Sequence, residues 1–307
     1  MDEIAIHTVK KIRIRQSTGD RVFGFINSAF LVLLSLATLI PFLSVFLSTI
    51  TPMSQLQSNP NAFIVIPHNV TLMSYIWLFK GSNKLISAYL ITILRTVAGT
   101  AACLFVTVLT AYPLSKKYLP GRNVFMALFF FTMLFSGGMI PTYLVVMKMG
   151  LTNTFFAMII PCVLNVYYMI IMRTFFQSLP EEIYESARMD GATDMKILFA
   201  IVLPMALPTL ASIGLFYAVF HWNSFFDVVL YVQNRALWPL QMLMRDIVAT
   251  NSSQDLSLGG LVGDPNKPND QVIVNCTVMI SAIPIMLLYP FLQRYFVKGL
   301  TIGSLKG

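Results

Sequence analysis

Residues 178–204 read SLPEEIYESARMDGATDMKILFAIVLP. Five acids and two bases fall between Glu181 and Lys196, in a chain of which only 11% is charged. The stretch separates two long apolar segments, so it reads as a solvated island between membrane-embedded neighbours. Its chemistry predicts helix, turn, helix. Ser178 followed three residues later by Glu181 has capping-box spacing, Pro180 suits a first turn, and the acids at 181, 182 and 185 favour the positive helix end. After Asp190, Gly191 suits the left-handed conformation that ends a helix. Thr193 with Asp194 can cap a second helix running into the apolar stretch from Ile197. Ile183, Ala187 and Met189 give the first helix only a thin apolar side. A helix lying on lipid headgroups carries a Lys/Arg-rich polar face; this one is acidic, which favours a protein partner.

The rest of the chain supplies a membrane mounting for this island. Hydrophobic residues make up 56% of 307, the mean hydropathy is +0.73, and several uncharged runs exceed the roughly 20 residues needed to cross a bilayer. The expected fold is therefore all-α, a polytopic membrane protein with six transmembrane helices. Cys103, Cys162 and Cys276 all fall inside apolar runs, which indicates neither a disulfide framework nor a clustered metal site.

In chain order, a cytoplasmic N-terminal segment, 1–21, carries Lys10, Lys11, Arg13, Arg15 and Arg21. The apolar run that follows, 22–50, is far longer than the core of a signal peptide and reads as the first span, bent at Pro41. A polar loop over 51–85 leads to a second span, 85–114. That span contains Arg95, which is either interior and water-lined, pairing or binding substrate, or close enough to the outer surface to snorkel. The third span, 124–147, holds Gly137 and Gly138 before Pro141. The fourth, 154–176, holds Asn165, Tyr167 and Tyr168. The fifth, 198–220, is expected to kink at Pro204 and Pro208. An outer excursion, 221–272, contains Trp222, Asn223, an amphipathic helix over 237–247 and the turn-rich run GDPNKPND. The sixth span is 272–292, and a basic tail, 294–307, ends the chain. The six spans form one transmembrane domain, 22–293, with the island at 178–196 as one of its inner loops.

Six spans put both termini on one side. The candidate inner segments hold fourteen Lys/Arg residues and the outer ones six, so the termini and the island face the cytoplasm. This topology accounts for the net charge of +8 without a nucleic-acid partner.

Within the island, Glu185, Ser186, Ala187, Gly191, Ile201, Leu203 and Pro204 match the spaced E-A-A, G, I-x-L-P signature of the permease subunits of ATP-binding-cassette (ABC) importers, with Ser186 for the second alanine. SGGMIP at 136–141, HWNSFF at 221–226 and KGLTIGSLKG at 298–307 extend the likeness over about residues 20–307. There the chain resembles maltose-type carbohydrate importer permeases, of the oligosaccharide branch found in firmicutes. The resemblance implies that the island is a coupling helix seated in a cytoplasmic ATPase subunit, with Glu182, Glu185, Ser186, Ala187, Arg188, Asp190, Gly191 and Ala192 as its coupling residues. Glu185 and Arg188 would make polar contacts, Ala187 would permit close approach, and Gly191 would make the turn. It also implies that Lys298, Gly299, Thr301 and Lys306 reach the ATPase interface. The implied partners are a second homologous permease subunit in a heterodimer, two ATP-binding subunits holding ATP and Mg²⁺, an extracytoplasmic solute-binding protein and membrane lipid, in a bacterial cell membrane. Many relatives carry Asn-Ser or Asn-Thr early in the second span, where this chain has Leu90, Ile91 and Thr92 with Arg95 nearby; the resemblance therefore does not carry the relatives' substrate specificity over to this chain.

The chain contains no Gly-x4-Gly-Lys-Ser/Thr phosphate loop, no His-Glu-x-x-His and no Gly-x-Ser-x-Gly, so no catalysis and no cofactor are expected on it. Aromatic faces stack on pyranose CH patches, and planar amides bind hydroxyls. Arg95, Gly137, Gly138, Asn165, Tyr167, Tyr168, Trp222 and Asn223 are thus candidate pathway residues. Each also has a structural alternative, because Tyr and Trp gather at membrane interfaces and Asn bridges helices. The competing readings are the same permease fold importing amino acids or peptides, and a self-sufficient secondary transporter. The second is disfavoured because no expected span carries an Asp or Glu for a proton relay.

Overall fold

The structure is a computed structural model that describes residues 17–58, 62–81, 83–250 and 268–304. The secondary structure among the described residues is entirely helical. The chain divides into two compact units, 1–70 and 71–307.

The first unit holds α1, Thr18–Ile50, and α2, Met53–Ser58. α1 starts four residues before the expected span and runs through Pro41 as one helix. The Asp20 carboxylate accepts from the Ser17 N–H at 3.0 Å, covering one otherwise orphaned group of the chain entering the helix. Phe23, Phe25 and Leu33 are exposed, which suits a helix whose solvent is lipid. The segment after α2 is tied back by Gln55. Its amide donates to the Ile66 carbonyl at 2.7 Å and its oxygen accepts from the His68 N–H at 3.0 Å.

The second unit begins with α3, Met73–Gly81, a short helix in what the sequence reads as loop. Next comes α4, Asn83–Ser115, whose 33 residues span about 50 Å. α5, Arg122–Leu134, and α6, Met139–Lys148, follow. The third expected span is thus two helices bent by 116°. The break falls at Ser136-Gly137-Gly138, where Gly138 has φ +87° and Pro141 sits in the first turn of α6. A side chain is disfavoured in that backbone conformation, and proline supplies no N–H to bridge the gap.

Two 3₁₀ turns, Phe155–Met158 and Ile160–Cys162, precede α7, Val166–Ser178, with a 55° bend between them and α7. Then come α8, Glu181–Met189, α9, Asp194–Ile197, a π-helical turn over Leu198–Val202, α10, Leu203–Met205, and α11, Leu207–Asn223. The chain turns by 84° between Asp194–Met205 and Leu207–Asn223, where Pro204 and Pro208 were expected to kink it. The excursion after α11 folds into α12, Phe226–Tyr231, and α13, Leu240–Thr250; α13 lies three residues beyond the predicted 237–247. Residues 251–267, with most of the turn-rich run, lie outside the described residues. α14, Asp270–Ser304, is a single helix through Pro284 and Pro290.

Among the described residues, three helices are long and apolar enough to cross a membrane, or up to six spans if each bent pair counts as one.

α4 is the post around which the second unit packs, against α7, α11 and α13. The α4–α11 contact depends on small residues, as close helix packing in membranes does. A Cβ on Gly99 would stand 2.6 Å from His221 Nε2, and one on Gly214 would stand 3.1 Å from Leu104 Cδ1. His221 is fully buried there, with Nε2 3.4 Å from Cys103 Sγ. Tyr217 joins three elements. Its hydroxyl lies 2.9 Å from Thr107 Oγ1 on α4 and accepts from the Asn165 N–H ahead of α7 at 3.1 Å. Thr92 caps α13, accepting from the Leu240 N–H at 2.8 Å.

Candidate coupling site

Leu179 and Pro180, with ψ 138° and 137°, separate α7 from α8. The capping box expected from Ser178 does not form. α7 continues through Ser178, whose hydroxyl donates to the Phe175 carbonyl at 2.7 Å. Pro180 takes the N-cap instead, so α8 lacks a side-chain cap and relies on Glu181 and Glu182 in its first turn and Arg188 in its last.

The far end follows the expectation. Gly191 has φ +77°. The Ala192 N–H bonds to the Ala187 carbonyl at 3.0 Å and the Gly191 N–H to the Arg188 carbonyl at 2.9 Å. These are the paired bonds of a Schellman ending. Thr193 Oγ1 accepts from the Lys196 N–H at 3.4 Å to start α9, beside Asp194 in its first turn.

Two faces result. Tyr184 and Ala187 point inward and join one apolar cluster with Tyr112 of α4, Met172 and Phe176 of α7, and Leu198. The Tyr184 hydroxyl donates to the Phe176 carbonyl at 3.2 Å; burial, with Tyr118 adding to it, pushes that phenol up to about 12. Ala187, expected to permit close approach of a partner, is buried, so its small size serves the packing of this chain. Glu182, Glu185, Ser186, Arg188, Asp190 and Gly191 are exposed, as is Met189 at 88%, and Ala192 is half-buried. The outward face is thus acidic with one apolar knob, on a helix bolted to the same core as α4, α7 and α11. A force applied to α8 is carried by close-packed side chains rather than by a slack loop.

The loop over 116–121 props α8 from the side, an arrangement that sequence reading missed beyond the loop's positive charge. The Lys116 amine sits over the Tyr184 ring, 2.9 Å from its centroid, and 4.7 Å from the centroid of Tyr112. Burial, with Arg188 nearby, lowers its pKa to about 8. Arg188 donates to the Tyr118 hydroxyl and to Asp194 Oδ1, the latter at 3.3 Å. Lys117 lies 3.9 Å from Glu181, with both exposed; such a pair contributes little. Between loop and helix lies a cavity of about 350 Å³.

The candidate pathway residues separate into groups. Arg95 is fully buried and paired with Asp227 of α12. It also donates to the Ser224 carbonyl at 3.1 Å and the Met158 carbonyl at 3.4 Å, which excludes the snorkelling alternative. Trp222 is buried, its Nε1 donating to the Ser281 carbonyl at 3.1 Å. Asn223 is exposed and donates to the Val219 carbonyl at 2.8 Å. Asn165 caps α7, its oxygen accepting from the Tyr167 and Tyr168 N–H groups at 3.0 and 3.3 Å. Tyr168 stacks on Phe216, while Tyr167 is 54% exposed. Gly137 and Gly138 are exposed at the α5–α6 break. Lys298, Gly299 and Thr301 lie on the last turns of α14, and Lys306 lies outside the described residues.

The described residues thus form a helical protein with helices apolar and long enough for a membrane, in which a short acidic helix packs one face into the core and leaves the other exposed. No family model matches the chain. It is 39% identical over 288 residues, 94% of this chain and 99% of the relative, to the polygalacturonan/rhamnogalacturonan transport system permease protein YtcP of Bacillus subtilis (strain 168). It is 40% identical over 302 residues, 98% of this chain and 99% of the relative, to protein LplC of the same organism. Among solved structures it is similar to a chain of a bacterial ABC transporter involved in the import of the acidic polysaccharide alginate. That match has a TM-score of 0.84 and 31% identity, covering 92% of this chain and 99% of that one. The chain belongs to the permease subunits of carbohydrate ABC importers. Such a subunit is not itself an enzyme; the ATPase is a separate subunit.

Proposed function

We propose that this chain forms half of the translocation pathway of an importer that takes up oligosaccharides delivered by an extracytoplasmic solute-binding protein. The sugar class is supported by two of its relatives, one named for polygalacturonan and rhamnogalacturonan and one, at 28% identity over 87% of this chain, for arabinooligosaccharides. The competing amino-acid or peptide reading has no such support.

The chain crosses the membrane six times over 22–293, with 1–21 and 294–307 in the cytoplasm. The excess of Lys/Arg on that side supports this topology. It pairs with a second, homologous permease subunit as a heterodimer, and two cytoplasmic ATPase subunits bind ATP and Mg²⁺. In this reading α8 seats in an ATPase subunit. Glu182, Glu185, Ser186, Arg188 and Asp190 meet it directly, Gly191 and Ala192 set the turn, and Ala187 fixes α8 to the core. Lys298, Gly299, Thr301 and Lys306 add a second contact. Asn165, Tyr167, Tyr168 and Asn223, with the α5–α6 break at Gly137 and Gly138, border the sugar path, while Arg95 and Trp222 hold its walls.

The single observation that carries the reading is the two-faced α8: Tyr184 and Ala187 anchored in the core, Glu182, Glu185 and Met189 exposed outside. The test is uptake by the complete complex in liposomes, with binding protein, using labelled galacturonan and arabinan oligosaccharides beside a dipeptide. Uptake of an oligosaccharide but not the dipeptide is expected; the reverse would overturn the substrate class.

A further inference from the structure

The cavity of about 350 Å³ between the 116–121 loop and α8 is lined by Lys116, Lys117, Arg122 and Arg188 against a single carboxylate, Glu181. Those charges are unevenly matched. Glu181 is approached by Lys117 at 3.9 Å and Arg188 is held by Asp194 at 3.3 Å. Among the described residues, no carboxylate lies within ion-pair distance of Lys116 or Arg122. With its amide oxygen turned toward them, Gln177 accepts from Arg122 Nη2 at 2.9 Å and Arg173 Nη2 at 3.2 Å; a neutral amide leaves both charges uncompensated. Among the described residues, Arg122 Nε is buried without a hydrogen-bond partner, which leaves a donor unsatisfied. Burial and repulsion by Arg188 together outweigh the opposing pull of Asp194 and Glu181 and weaken the hold of Lys116 on its proton. Such a set of donors is completed by an anion with several acceptor oxygens.

We propose that this cavity binds a phosphate group, supplied by the headgroup of an anionic phospholipid. The choice of source follows from location. The cavity opens where α4 and α7 end, at Ser115 and Gln177, and where α5 begins. α5 leads away from it with Val124, Phe125, Leu128 and Phe131 exposed, an apolar face on which acyl chains can lie while the phosphate sits among the cations. Basic pockets at the cytoplasmic ends of membrane helices hold anionic headgroups in this way. Because Lys116 rests on Tyr184 and Arg188 is part of α8, an occupied cavity would brace the coupling helix. This inference rests on the cytoplasmic orientation given under Proposed function.

The test uses the complete complex, stripped of lipid and reconstituted in nanodiscs of phosphatidylcholine alone or with phosphatidylglycerol. Native mass spectrometry counts retained lipid, and acylation of Lys116 reports occupancy. Wild type is expected to retain phosphatidylglycerol over phosphatidylcholine, and phosphatidylglycerol should slow acylation of Lys116. K116Q with R122Q should lower retention by roughly tenfold, and K116R should keep it. If the double variant does not assemble, protection of Lys116 in wild type still decides. Inorganic phosphate protecting Lys116 as well in phosphatidylcholine as phosphatidylglycerol does would overturn the lipid source. Equal retention of both lipids with no protection by either anion, or protection that requires the ATPase subunits rather than lipid, would overturn the site. Binding is read without transport, so a complex that imports sugar yet retains no anionic lipid removes this inference alone. One that retains lipid but imports no sugar removes only the substrate reading.

Discussion

Arg95 in α4 and Asp227 in α12 form an ion pair across 132 residues of chain, with the guanidinium fully buried. Together with the Ser224 and Met158 carbonyls, this pair fastens the middle of the central helix to the 3₁₀ turn before α7 and to the short helices after α11. Removing one partner strands a buried charge. D227L should therefore destabilise the purified protein by about 3–5 kcal/mol, whereas R95M combined with D227L should recover most of the loss, since a packed apolar pair can replace a buried ion pair. Thermal unfolding of the single and double variants in detergent checks this; a double variant less stable than D227L would contradict it.

At Gly99, α4 packs against the His221 ring of α11 with no room for a side chain. A Cβ there would stand 2.6–2.8 Å from three atoms of the His221 ring. G99A should cost about 1–3 kcal/mol, as overpacking does, and H221A in the same chain should relieve it by opening space at that spot. A G99A protein as stable as wild type would show that the helices part freely there.

Lys116 should titrate far below an ordinary lysine, near pH 8 rather than 10.5. The groups around it are Tyr112 of α4, Glu181, Tyr184 and Arg188 of α8, Asp194 of α9, and Lys117, Tyr118 and Arg122 on or beside its own loop. Between those two pH values the folded protein binds fewer protons at this site than the unfolded chain, so its contribution to stability rises with pH through that window. In phosphatidylcholine nanodiscs, with the cavity free of anionic lipid, acylation of Lys116 followed by mass spectrometry should reach half its maximal rate near pH 8; an anionic headgroup in the cavity should move that midpoint upward. Reaction with the pH profile of an exposed lysine would contradict the packing described.

A Cβ added at Gly191 would meet nothing within 4 Å, yet the residue's φ is +77°, so substitution there tests backbone conformation alone. A β-branched residue is strained in that region by roughly 1–2 kcal/mol, whereas asparagine tolerates it. G191V should insert normally yet lower the sugar moved per ATP hydrolysed, and G191N should leave that ratio near wild type. Equal ratios in all three proteins would separate the turn from coupling.

The turn at Gly191 and the Thr193 cap were legible because both depend on residues within a few positions of each other. Ser178 misled for the same reason: its spacing to Glu181 is right, but α7 packs on through it and Pro180 caps α8 instead. The Arg95–Asp227 pair was hidden, since nothing local marks two residues 132 apart as neighbours and Asp227 sits in a segment that reads as loop. Hydropathy found the third apolar segment over 124–147 but carries no angle, so the 116° break at Gly137 and Gly138 emerged only from backbone geometry. The bracing of α8 by Lys116 and Tyr118 was likewise beyond a reading that counted the loop's charges only for orientation.

Under the proposed function, α8 receives its motion from a separate ATP-hydrolysing subunit. The most direct test is uptake of labelled oligosaccharide by liposomes holding this chain and its partner permease, with and without the ATPase subunits, ATP and binding protein being present throughout. Uptake that appears only when the ATPase subunits are added is the predicted result; equal uptake without them would contradict the account.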